Sequence, residues 1–201
     1  MRSTFRLLGL TVALSVAGAA GAADQRRAED IVNGKCGLCH GVQGESASRS
    51  FPRLAGQHAE YLAKQLADFK AGKRYGTTMN DMAADLSPEE MKALAAYFAG
   101  KKVGPQKVDD ADLAAVGRYL YHKGNEYAQV PACATCHGPQ GLGSPQLPRL
   151  AGQQANYTVS QLKQFGRRER TNDNAIMHSI ASKLTELEAR ALAEYIAGLD
   201  G

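Results

Sequence analysis

The sequence predicts a mainly helical protein made of two tandem, homologous domains. Three observations carry that expectation. First, the chain copies itself: "FPRLAGQ" (Phe51–Gln57) returns as "LPRLAGQ" (Leu147–Gln153) at an offset of 96 residues, and Cys36 returns as Cys133 at 97. Internal repetition of this kind decides the architecture before any local reading does. Second, apolar residues recur at helical spacing in each copy, with capping signals before them. Third, no stretch shows the strict alternation of a half-buried strand.

Taken in chain order, the N-terminus reads as an export leader over residues 1–22. Arg2 and Arg6 precede an apolar run from Leu7 to Ala20, and Ala20-Gly21-Ala22 offers small residues for cleavage. The run is shorter than the ~20 apolar residues a membrane helix needs. An opening helix is expected at about Gln25–Asn33, a middle helix at Ala59–Ala71, and a closing helix after Ser87. There, Ser87-Pro88-Glu89-Glu90 forms a capping box with Pro in the first turn. Met91, Leu94, Ala95 and Phe98 form the apolar stripe that follows.

Residues 101–110 read as a linker, since Gly and Pro punctuate a polar stretch there. Its shortness predicts domains that touch. The N-terminal domain then covers 23–100 and the C-terminal domain 111–201. In the second copy an opening helix is expected over Asp110–Lys123, with Leu113, Val116, Leu120 and Tyr121 facing inward. A middle helix follows over Ala155–Gly166. The closing helix is capped by Thr185 with Glu188, and Ala189, Leu192, Ala193 and Ile196 form its apolar stripe.

Charge excludes one function class. The net charge of +4 includes the two leader arginines, and the rest is balanced apart from Lys101, Lys102 and Lys107 in the linker. A nucleic-acid binder would show a strongly basic face.

The chemistry lies in "KCGLCHG" (Lys35–Gly41) and "ACATCHG" (Ala132–Gly138), which hold all four cysteines of the chain. A redox disulfide would call for a βαβ setting, and structural zinc for a fourth ligand in each copy. Neither is present in the pattern. The remaining reading of C-x-x-C-H is covalent haem attachment. Cys36 and Cys39, and Cys133 and Cys136, would each bind one haem, and His40 and His137 would reach the irons. Two short helical domains have little core of their own, and two haems would fill it.

The repeat also selects a sixth ligand. The closing helices pair at an offset of 98, which maps Met79 onto Met177, whereas Met82 maps onto Ile180 and Met91 onto Ala189. Met79 and Met177 are therefore the expected thioether ligands, in loops before the last helices. His58, His122 and His178 have no histidine counterparts and are expected at surfaces or boundaries. Pro52 and Pro148 carbonyls are candidates to orient the two ligating histidines, since such a ring usually donates its other N–H. Arg53 and Arg149 are either partners of haem carboxylates or solvated charges.

These residues resemble a known family. "CGLCHG … FPRLAGQ … YLAKQL" and "CATCHG … LPRLAGQ … YTVSQL", closed by "RTNDNAIMHSIASKLT", are similar to the dihaem cytochrome c4 family over the whole chain after the leader. The resemblance implies a fold of two tandem class I cytochrome c-like domains, each wrapped around one covalently bound haem. It implies two haem c groups ligated by His40 with Met79 and by His137 with Met177, facing each other across the domain interface. It also implies a periplasmic electron carrier, often membrane-associated, between a bc1-type donor and a cbb3-type or other terminal oxidase, with no small-molecule substrate. Two other readings share the same motifs: the haem subunit of a flavocytochrome c complex, and a dihaem peroxidase, which needs an open iron. The stretch "HKGNEYAQVPA" before the second CxxCH has no equivalent before the first, which favours unequal potentials.

Overall fold

In the computed structural model, residues 17–200 are described, with side chains from Asp24 onward. The charged and apolar parts of the expected leader lie mostly outside the described residues, and Ala17–Ala22 belong to the first helix.

Helix α1 (Ala17–Ile31) does not stop at Asn33. It passes through a π-helical turn (Val32–Cys36) into α2 (Gly37–His40), so both cysteines of the first motif ride on one continuous helical segment. Gly41 ends it with φ +74, as Gly138 does after the second motif with φ +78. Only glycine adopts that conformation without strain. Helix α3 (Ala59–Lys70) follows, then α4 (Met79–Ala84) and α5 (Pro88–Ala99). The expected capping box is formed: Ser87 accepts from the Glu90 N–H and Glu90 accepts from the Ser87 N–H.

The second half repeats the plan with α6 (Ala111–Lys123), α7 (Ala134–His137), α8 (Ala155–Gly166), α9 (Ile176–Ala181) and α10 (Glu186–Ala197). Asp110 caps α6 and Thr185 caps α10, the latter again with a full capping box. No strand forms among the described residues. A single antiparallel bridge, Asn125 with Val130, closes the loop that the first half lacks.

Packing is the same in both halves: the first long helix lies on the last, α1 on α5 and α6 on α10, and α3 and α8 fill the side. Met91, Leu94, Ala95 and Phe98 are all buried, as are Ala189, Leu192, Ala193 and Ile196. One predicted position differs. Val116 is half exposed, while its neighbour Gly117 is buried against Ala191, where a Cβ would collide with the Ala191 carbonyl. The closest approach of α6 and α10 falls on the residue with no side chain, which turns Val116 outward. The second core cluster is small, built on Leu120, Tyr121, Ala191, Leu192 and Ile196.

The halves meet through the repeated motif. Gln57 Nε2 donates to the Arg149 carbonyl at 2.9 Å and its Oε1 accepts from the Arg149 N–H at 2.9 Å. Gln153 does the same to Arg53, at 3.0 and 2.8 Å. These reciprocal pairs relate the halves by an approximate twofold. His58 Nε2 adds a bond to the Leu142 carbonyl at 2.8 Å. The linker is packed down, with Gln106 N–H donating to the Ala197 carbonyl at 2.7 Å and the Gly104 carbonyl accepting from Arg53.

Candidate functional site

Each CxxCH motif presents its histidine in the same way. His40 is 6% and His137 is 8% exposed. Nδ1 of His40 lies 2.9 Å from the Pro52 carbonyl, and Nδ1 of His137 lies 3.1 Å from that of Pro148. A carbonyl only accepts, so Nδ1 carries the proton and Nε2 keeps its lone pair. Burial pushes both imidazoles toward the neutral form, against the opposing effect of the proline bond. A neutral, oriented imidazole is the state that binds a metal. The prolines singled out in the sequence are thus the orienting residues.

The cysteines are unbridged; Cys136 is exposed and the other three are partly buried. Burial raises the thiol of Cys36 and pushes that of Cys133 up to about 11. A redox disulfide centre relies on a depressed thiol pKa, and burial acts on Cys36 and Cys133 in the opposite direction. Among the described residues, no group of three or more His, Cys, Asp or Glu side chains could hold a metal ion. A bare zinc site is therefore not built from them.

The surroundings fit a flat apolar group. Leu38, between the two cysteines, is 75% exposed, and Phe51 and its counterpart Leu147 are 39% and 37% exposed. Phe51 and Leu147 each precede the proline that holds the histidine. The ring of Phe51 stands edge-on to His40 at 6.3 Å. Apolar side chains left on the surface beside a buried, correctly turned imidazole are what a porphyrin would cover.

Met79 and Met177 lie on short helices instead of the expected loops. Met79 opens α4 and packs against the first core cluster, and Met177 is the second residue of α9. The turn of α9 starts from two consecutive left-handed residues, Asn174 (φ +56) and Ala175 (φ +65), which have no counterpart before Met79. The two thioethers are therefore held by different backbones. Met91 is core filling at 5% exposure. The remaining histidines all have protein partners: His58 at the interface, His122 on the Tyr195 hydroxyl, and His178 Nδ1 on the Phe165 carbonyl at 3.0 Å.

Arg53 is partly buried and turned toward the backbone of the linker and of the other half. Its Nη1 donates to the Gly104 and Gly152 carbonyls at 2.6 and 2.9 Å. Arg149 Nε donates to the Ala151 carbonyl. The buried cations are a different pair, Arg74 and Arg170, at 7% and 6% exposure. No motif marks them in the sequence, although they repeat at the same offset of 96 as PRLAGQ.

Comparison with known proteins agrees with this geometry. The cytochrome c family model matches twice, over residues 25–123 and 121–200. The chain is 40% identical to cytochrome c4 of Pseudomonas aeruginosa over 197 residues, 96% of this chain and 98% of that protein. A thiosulfate dehydrogenase electron acceptor of Stutzerimonas stutzeri is 39% identical over 176 residues, 82% of this chain and 78% of that one. Among solved structures, reduced recombinant cytochrome c4 from Pseudomonas stutzeri matches with a TM-score of 0.81 at 39% identity, covering 87% of this chain and 98% of the other. Two helical halves, two CxxCH motifs and these full-length matches have one reading: the chain carries two covalent haem c groups and belongs to the cytochrome c4 family of dihaem electron carriers.

Proposed function

We propose that Cys36 and Cys39 hold one haem as thioethers and Cys133 and Cys136 the other. His40 with Met79 and His137 with Met177 would be the axial ligands. The domains carrying them are residues 23–100 and 111–201, joined by 101–110. The observation that carries this is the matched imidazole geometry: each histidine of a CxxCH is buried, with Nδ1 turned onto a proline carbonyl eleven or twelve residues on. When bound, each haem supplies an iron that cycles between ferrous and ferric. His/Met ligation raises its potential relative to more basic sets. The chain's own part is to hold Nε2 lone pairs in place, to supply a thioether on a short helix, and to exclude water with a small apolar core. A methionine on each iron would fill the position that a peroxidase leaves open, which supports a carrier over a peroxidase.

The physiological partners we infer are a bc1-type donor and a terminal oxidase, for a protein exported to the periplasm by its leader. A second donor has specific support: the relative of Stutzerimonas stutzeri is a thiosulfate dehydrogenase electron acceptor, similar over most of the chain. Stopped-flow reduction by a thiosulfate dehydrogenase and by a bc1-type complex separates the two. Rapid reduction by the first alone assigns the chain to sulfur oxidation, and by the second alone to respiration. Steady turnover of peroxide by the reduced protein would overturn the carrier reading.

A further inference from the structure

Arg74 and Arg170 have surroundings that stability alone does not explain. Each guanidinium stacks on an aromatic ring of its own half, 4.6 Å above Phe69 and 4.4 Å above Phe165. Each then donates into the other half. Arg74 reaches the Tyr157 hydroxyl at 2.8 Å and Gln161 Oε1 at 2.9 Å, besides its own Gln65 Oε1 at 2.8 Å. Arg170 reaches the Tyr61 hydroxyl at 2.9 Å and Gln65 Oε1 at 3.1 Å, besides its own Gln161 Oε1 at 2.6 Å. The two cations therefore share both amide oxygens, two hydrogen-bond lengths apart.

Those acceptors are phenols and amides; burial opposes ionisation of the Tyr157 phenol, but Arg74 and Arg170 outweigh it and hold that phenol below its ordinary value. The nearest carboxylates are Asp68, which Lys64 already pairs and Asn172 bonds at 2.7 Å, and Asp173, which attracts Arg170 through space. Arg74 and Arg170 are both buried, whereas the one buried carboxylate beside them, Asp68, is already paired by half-exposed Lys64 and Asp173 is only partly buried, so positive charge is in excess there. Two buried like charges repel strongly where water does not screen them. A fold that keeps both has a use for their field. Each haem brings two carboxylates of its own, the complement to that excess.

The aromatic rings under the two cations adjoin the segments of the proposed methionine ligands. Phe69, under Arg74, belongs to the core cluster against which Met79 packs, and both flank Gly76. Phe165, under Arg170, accepts the hydrogen bond of His178, the neighbour of Met177.

We propose that Arg74 and Arg170 are a reciprocal cross-domain pair that raises the reduction potential of both haems together. This rests on the haem reading above. Reduction adds one electron to a ferric iron, and no bond forms or breaks. A nearby positive charge disfavours the ferric state, so removing it lowers the potential. Because each guanidinium is anchored on one half and bonded into the other, the loss of either is felt by both irons.

The test is a spectroelectrochemical titration of the holoprotein. Arg74→Gln and Arg170→Gln are each expected to lower both midpoints, while Arg74→Lys, which keeps the charge, stays near the parent. Gln65→Glu places a carboxylate between the two cations, so it lowers both midpoints without loosening the fold, and it decides the matter if the neutral variants fail to fold. Gln57→Ala loosens the interface without touching the cluster and leaves the midpoints in place. The proposal is overturned if Gln65→Glu moves neither midpoint or only one, or if Gln57→Ala lowers both as far. Haem content and the far-red iron–sulfur band of each variant report separately on the haem reading.

Discussion

Replacing Gln57 by alanine tests whether PRLAGQ exists to join the halves. The side chain makes two cross-domain bonds, both at 2.9 Å, to the backbone of Arg149. A typical intramolecular hydrogen bond nets about 1 kcal/mol, and a partner left unsatisfied costs about 1–3 kcal/mol. Gln57→Ala removes one side chain and strands two N–H groups, of Arg149 and His58, and the Arg149 carbonyl, all in part-buried surroundings, so the loss should be about 2 kcal/mol. Gln153→Ala strands the same groups of Arg53 and should match it. The two sites touch different residues, so the double variant should lose about 4 kcal/mol, close to additive. Against a domain stability of about 5–15 kcal/mol this is a large fraction. Guanidinium unfolding of the oxidised holoprotein, followed by helical circular dichroism and haem absorbance, reads it out. The double variant should also unfold in two steps, one half before the other. Gln25→Ala, which removes an exposed bond to Glu29, is the control and should lose less than about 0.5 kcal/mol. A Gln57→Ala loss no larger than that of the control would refute the reasoning.

Three further outcomes are expected. Gly117→Val should destabilise the second half by about 1–3 kcal/mol in thermal unfolding, because its side chain meets the Ala191 carbonyl where α6 and α10 touch. Ser87→Ala and Thr185→Ala should each cost about 1 kcal/mol by loss of a helix cap, measured by denaturant titration. Glu90 is held below the usual carboxylate range by the Ser87 N–H and then by Arg27. Its contribution is therefore complete at neutral pH and lost as pH falls through the carboxylate range. Glu90→Gln should flatten that acid limb of the stability curve.

What could be read in advance follows the range of each interaction. Capping boxes, stripes and the CxxCH motifs are local, and Ser87, Thr185, Met91–Phe98 and His40 behave as their neighbours dictate. Register within the repeat singled out Met79 and Met177 for the proposed ligand role and paired Pro52 with Pro148, whose carbonyls do face the two histidines. The interface was not legible, because Gln57 and Arg149 meet only once both halves are folded. Arg74 and Arg170 carried a usable signal, the shared offset of 96. Their burial was hidden, since an arginine in a polar loop reads as solvated until the other half covers it. Val116 misled for a related reason: helical spacing gives a stripe, but the direction of closest approach is set by where α10 can come near, which is Gly117.

The central claim is that each iron sits between a histidine and a methionine of its own half. The far-red iron–sulfur absorption band of the oxidised protein tests it most directly, compared among the parent, Met79→Ala and Met177→Ala. Each single variant should retain two covalent haems and lose about half of the band, and the double variant should lose all of it. An undiminished band in either single variant would contradict the account.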